Sequence, residues 1–226
     1  MHDIEWLRSA DSVQLLAQLN RSRGDRKLLL LGVACCRRQF ALLTSPDSRA
    51  AVEWAERFAD GEAQRDERYE RLEWASEGAA FRCETANARD RFEDCSEETR
   101  GPIAESNTDL AVGAVYFANA LMTLDTHEPF DPSLRAHAQF LVAPIVRDIF
   151  GNPFRSVAFS PEWRTGTALS LARTMYEARD FSAMPILADA LQDAGCNNDA
   201  ILDHCRDTQQ VHVRGCWVVD LVLGKE

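Results

Sequence analysis

The chain has 226 residues, 46% hydrophobic and 27% charged, a balance that allows a sizeable buried core. Its formal net charge of -11 disfavours unspecific binding to nucleic acid or to an anionic membrane surface. Seven cysteines, an odd number that includes the adjacent Cys35 and Cys36, do not read as a secreted disulfide framework, so the expectation is a cytoplasmic chain with reduced thiols.

In chain order the residues predict an all-α protein, a multi-helix bundle with short helical hairpins at its C-terminus. Ala, Leu, Arg and Glu dominate, and alternating β-branched runs are nearly absent. The opening "MHDIEWLRSADS" is polar and acidic, unlike a secretory leader. Asp11 can cap a helix carrying Val13, Leu15, Leu16 and Leu19. Asp25 can cap the next, where Leu28 to Cys36 is apolar nearly all round, the mark of a central helix. That run is far shorter than the roughly 20 residues a bilayer needs, so no membrane span is expected. Arg21, Arg23, Arg26, Lys27 and the "CCRRQF" arginines read as a solvated helix face rather than a basic patch. Ser45 and Pro46 then suit the N-cap and first turn of a helix carrying Val52, Ala55, Glu56 and Ala59.

Glu62 to Asp94 changes texture. It is rich in Arg and Glu, and its apolar residues are sparse, so the expectation is one or two exposed helices with a break near Gly78. Trp74 and Phe81 are its candidate anchors for a protein partner, because aromatic residues carry much interface energy. "EETRGPIAESN" reads as a linker, and Asn107 or Thr108 starts another helix. Asp131 and Pro132 begin a helix that runs towards Phe150, with a kink expected at Pro144. "FGNPF" is a turn, and Ser160 with Pro161 opens the next segment. Apolar stripes then follow in "ALSLARTMY", "PILADALQDAGC", "AILDHC" and "CWVVDLVLG". These readings divide the chain into a helical region over 1–128 and a C-terminal helical module over 129–226, either separate or sharing one core.

Several segments carry a resemblance. "DRKLLLLGVACCRRQF", "AVEWAERFADG", "VRDIFGNPF", "PILADALQDAGC", "ILDHCR" and "HVRGCWVVDLVLGKE" resemble parts of a group of bacterial proteins common in planctomycetes and some actinobacteria. The resemblance covers both ends of the chain and implies a helical bacterial protein. It carries over no activity and no catalytic residue.

The chemistry-bearing residues concentrate near the C-terminus. Cys196, His204, Cys205, His212 and Cys216 fall within one short stretch. As a structural zinc site, Cys196, Cys205, His212 and Cys216 would supply four ligands, with His204 as an alternative. The gap between Cys196 and Cys205 is longer than zinc modules usually show. As packing residues, the three thiols would behave as small buried hydrophobes, and this is the expected reading. As a catalytic set, Cys205 or Cys216 would need His212 and either Asp220 or Asp203 beside it. No Gly-rich phosphate loop, HExxH, GxSxG or paired CxxC is present, so no cofactor other than a structural zinc is expected. The helix-turn-helix outline around Gly195 offers Asp199, Asp203 and His204 on its second helix, which suits an ordinary hairpin better than a DNA reader. The expected function is therefore a non-enzymatic protein-interaction or scaffold module. The rivals are a metal- or thiol-dependent hydrolase around His212 and Cys216, and a zinc-stabilised accessory domain.

Overall fold

The computed structural model describes residues 1–19, 25–38, 40, 46–64 and 142–225, and among them all regular structure is helical, with no strand. The all-α expectation is met there. The candidate anchors Trp74 and Phe81, the "EETRGPIAESN" linker and the caps Ser45 and Asp131 lie outside the described residues.

The helices are α1 (Asp3–Arg8), α2 (Ser12–Ala17), α3 (Asp25–Arg38), α4 (Pro46–Ala59), α5 (142–150), α6 (Gly166–Ala178), α7 (Met184–Asp193), α8 (Asp199–Arg206) and α9 (Trp217–Leu223). Asp11 caps α2 as its sequence position suggests, accepting from the Gln14 backbone N–H at 3.1 Å. Thr165 and Asn198 do the same for α6 and α8. Ser160 does not. It precedes only a 3₁₀ turn, Pro161–Trp163, and makes no side-chain cap bond. Pro144 sits in the first turn of the described part of α5, where its missing N–H breaks no described helical bond.

The chain divides into two compact units, one formed by Met1–Lys27 with Gln139–Glu226, the other by Leu28–Ala138. In the second unit every residue from Leu30 to Cys36 is buried, as the apolar circumference of α3 predicts. Val33, Cys36 and Val52 share a core that Phe40 and Ala55 cover. Glu56, buried on α4, takes a bidentate pair from Arg37 at 2.9 and 2.6 Å.

The first unit holds the larger described core. Ala168, Ala172, Met175 and Tyr176 of α6 meet Met184, Leu187, Ala188 and Leu191 of α7, with Ile201 and Leu202 of α8 and Val218, Val219 and Val222 of α9. Full burial of each Leu, Ile, Met or Val contributes about 1.5–3 kcal/mol, so this interlock dominates the unit's stability.

The N-terminal segment is tied to this unit by polar contacts. Arg147 donates to the Ser9 and Trp6 carbonyls, at 2.8 and 3.3 Å. Lys27 Nζ donates to the Ile149 carbonyl at 2.9 Å, near the C-terminus of α5. Arg26 donates to both Asp220 carboxylate oxygens, at 2.7 and 3.3 Å, and to the Tyr176 hydroxyl at 2.9 Å. Arg26, Lys27 and Arg37, read from sequence as parts of a solvated basic face, are thus spent on internal contacts. Burial pushes the Asp220 carboxyl up, against the pull of Arg26. The desolvation cost outweighs part of the ion-pair attraction, so the clamp is worth less than its short distances suggest.

Arg26→Met should therefore destabilise the protein by about 3 kcal/mol, because it removes the cation hydrogen-bonded to Asp220 and leaves that buried acid only the Lys27 and Lys225 charges. Arg26→Met with Asp220→Leu should recover most of that loss, read as the urea midpoint at constant m-value. A double variant as unstable as the single one would contradict this account.

Candidate functional site

Four side chains of three chemical kinds converge in the first unit: Asp148 of α5, His204 of α8, His212 of the loop that follows, and Cys216 at the N-cap of α9. One donor atom from each lies within 4.8 Å of all the others.

Local structure sets each position. Gly151 ends α5 at φ +64°, a left-handed conformation that favours glycine, and its N–H bonds the Arg147 carbonyl at 3.0 Å. Asn198 caps α8 by accepting from Ala200 and Ile201, at 3.0 and 3.4 Å, and Ile201, Leu202 and Cys205 face the core. His204 is left on the flank of that face. The loop after α8 begins with Asp207, whose carboxylate accepts from the Gln209 N–H at 3.0 Å. It closes with Cys216 N–H bonding the Val213 carbonyl at 2.9 Å, and the turn, with Gly215 at φ +96°, brings His212 and Cys216 to the same place.

Asp148 is the hub. Its Oδ1 lies 2.8 Å from His212 Nδ1 and 3.2 Å from His204 Nε2, and its Oδ2 accepts from the Val213 N–H at 2.8 Å. Burial favours the neutral acid, but the bonds from His204 and His212 win and hold this carboxyl below the usual aspartate value. His204 Nε2 is also 3.2 Å from Cys216 Sγ, and His212 Nδ1 is 4.0 Å from the same sulfur.

The second nitrogen of His204 settles its tautomer. Trp217 Nε1–H, which can only donate, points at His204 Nδ1 from 3.2 Å, with Gln210 Nε2 at 3.1 Å. Nδ1 therefore accepts, and the ring proton sits on Nε2, facing Asp148 and Cys216. Trp217 is in turn held against Gly151, where an added Cβ would stand 3.2 Å from the indole Cγ. His212 gives its Nδ1 proton to Asp148, and its buried Nε2 has no partner.

Cys216 is fully buried, and burial, aided by the Asp148 charge, pushes its thiol well up. A thiol held in that form is a poor nucleophile. Of the catalytic sets read from sequence, Cys216 and His212 come within 4.0 Å, but Asp220 pairs with Arg26 and Asp203 is exposed, and the acid on His212 is Asp148 instead. Cys196, Cys205 and Cys216 all lie in one core cluster, a proximity that packing and metal binding both expect. Burial moves the Cys205 thiol up to about 12. Of the four residues read as zinc ligands, His212 and Cys216 stand in the converging set, and Cys196 and Cys205 do not. His204, the alternative ligand, does.

Asp148 was absent from every sequence-based set. Its signal was an acid inside "APIVRDIFG", where Ala143, Ile145, Val146, Ile149 and Phe150 are all buried. A carboxylate on such a helix has to find donors inside the protein.

Asp148→Asn should cost about 3 kcal/mol, because an amide cannot accept from both histidines and Val213 at once. The Asp148 contribution is fully present above pH 3.8, the ordinary aspartate value, and is lost as pH falls through its lower folded-state value. The stability gap between wild type and Asp148→Asn should therefore be flat near neutrality and close in acid. A gap that widens in acid would contradict it. Gly151→Ala should cost about 2 kcal/mol or more, since it strains a left-handed residue and drives a methyl into Trp217. Thermal melts of that variant, compared with Gly61→Ala, would separate the contact from the backbone effect, because nothing lies near a Cβ at Gly61.

Comparison with protein-family models, with curated proteins and with solved structures finds no match to this chain.

Proposed function

We propose that the chain is a non-enzymatic helical module that docks or scaffolds other proteins in the cytoplasm. The observation that carries this reading is an exposed apolar corner on a rigid support. Among the described residues the exposed large apolar side chains are Ile4, Leu7, Phe154 and Ile186. The first three belong to α1 and to the "FGNPF" turn beside it. Ile4 and Leu7 are three apart and share one helical face.

The support beneath them is firm. Trp6 is fully buried and meets Phe154 edge to face, with ring centroids 6.4 Å apart. Asp3 accepts from Asn152 and, at 3.0 and 2.6 Å, from Arg155. Apolar side chains held in place before binding lose little further entropy when a partner covers them, which favours affinity. The full burial of Cys216 weighs against the thiol-hydrolase alternative. No helix among the described residues is long and apolar enough to cross a membrane. The net charge of -11 favours protein over nucleic-acid partners.

A photo-cross-linking amino acid placed at Leu7 should yield discrete protein adducts in cells that make this chain naturally. The same probe at Ser170, exposed on α6, should not. Ile4→Asp, at the most exposed of these side chains and with an unchanged melting temperature, should reduce the Leu7 adducts about tenfold, as loss of one interface anchor does. Equal adducts at Leu7 and Ser170, or none at either, would remove the basis of this reading.

A further inference from the structure

We infer that Asp148, His204, His212 and Cys216 together bind one zinc ion, and that the ion is a structural staple. This goes beyond the docking role and does not depend on it.

The donor set comes first. One carboxylate oxygen, two imidazole nitrogens and one sulfur form a mixed set that suits a borderline-soft cation. Calcium and magnesium prefer oxygen throughout. The charges also close: Zn²⁺ with one carboxylate and one thiolate is neutral, which a buried site requires.

The spacing comes second. Bonds of about 2.0–2.3 Å in a tetrahedron separate the ligand atoms by about 3.3–3.8 Å. Asp148 lies 2.8 Å from the His212 ring and 3.2 Å from the His204 ring, Cys216 lies 3.2 Å from the His204 ring and 4.0 Å from the His212 ring, and all four donors fall within 4.8 Å, so the widest gap must close as the ion binds. The shortest are those in which a proton now lies between the two atoms. Replacing protons by a cation opens them by a few tenths of an ångström.

The proton balance is explicit. The Cys216 S–H bond breaks, an S–Zn bond forms, and that proton leaves to solvent. His204 moves its proton from Nε2 to Nδ1, and His212 moves its own from Nδ1 to Nε2, so each ring frees a lone pair for the metal. The new N–H on His204 Nδ1 donates to the Gln210 amide oxygen once that amide turns, and the Trp217 indole N–H gives up the Nδ1 acceptor it holds in the metal-free chain, a cost the zinc bonds must exceed. Asp148, already ionised, contributes without a proton change.

The ion is structural because all four positions are filled by protein and all four side chains are at least nine-tenths buried. A catalytic zinc keeps one position open for water or substrate. The ligands come from α5, α8, the following loop and α9, so one ion would cross-link every element around the loop.

The test uses the full chain, stripped with a chelator and shown by circular dichroism to remain helical. Zinc chloride should rebind at about one ion per chain and raise the melting temperature, with magnesium and calcium unable to compete. Cobalt(II) should give the visible bands of a tetrahedral ion and a thiolate charge-transfer band. Cys216→Ser and His204→Ala should weaken zinc binding about 100-fold or more, whereas Cys205→Ser and Cys196→Ser should retain it. A folded, stripped wild type that takes up no zinc at micromolar concentration would overturn the proposal. So would a cobalt complex without thiolate character, or stoichiometric zinc retained by Cys216→Ser. The two wild-type measurements need no variant to fold. Loss of the Leu7 adducts would leave the site intact, and loss of zinc would leave the docking role untouched.

Discussion

The buried carboxylate of Asp148 is the interaction on which the C-terminal region depends. A charge taken out of water must be met by donors or it unfolds its surroundings. Here the donors are two imidazoles and the Val213 backbone N–H, and all come from residues beyond α7. The loop between α8 and α9 carries little apolar surface of its own. Its path is set by the need to satisfy one acid on α5. The sequence of constraints continues outward: Gly151 lets Trp217 approach α5, Trp217 orients His204, and His204 faces Asp148 and Cys216.

Helix α9 is where this cluster and the N-terminal segment are joined. Its cap residue supplies Cys216, and one turn later Asp220 receives Arg26. The two residues are linked directly, since the Asp220 N–H bonds the Cys216 carbonyl at 2.8 Å. A seven-residue helix is too short to be stable alone. It is held by apolar burial of Val218, Val219 and Val222, by the cluster at its start and by the ion pair within it. Arg164 completes it by donating to the Leu221 carbonyl at 3.2 and 3.0 Å. The exposed pair of Asp3 with Arg155 is of another kind: both partners are well solvated, and its value lies in orienting α1 rather than in energy.

These arrangements separate the reactive chemistry from the surface. Thiols, imidazoles and a carboxylate gather where water is excluded, where they serve cohesion. The exposed large apolar side chains among the described residues stand apart from this cluster, on α1, the "FGNPF" turn and α7.

What the sequence determined by itself was local. Periodicity identified helices, Asp11 was legible as a cap, and the unbroken apolar run of α3 predicted its burial. Those features follow from propensity and from which residues avoid water, and both act over a few positions. The sequence also placed His212, Cys216 and the two other thiols near one another, because they are close along the chain. What only the tertiary structure decided was which of them meet. Asp148 lies 64 residues before His212, and the attraction between a buried acid and a distant imidazole leaves no periodic trace. The exchange of Cys196 and Cys205 for Asp148 and His204 in the converging set has the same cause. On α8, Cys205 points with Ile201 and Leu202 into apolar core, while its neighbour His204, about 100° further round the helix, reaches the polar cluster. The joining of Arg26 to Asp220 across 194 positions was likewise invisible, since only the folded chain brings them together and only burial makes the pair matter.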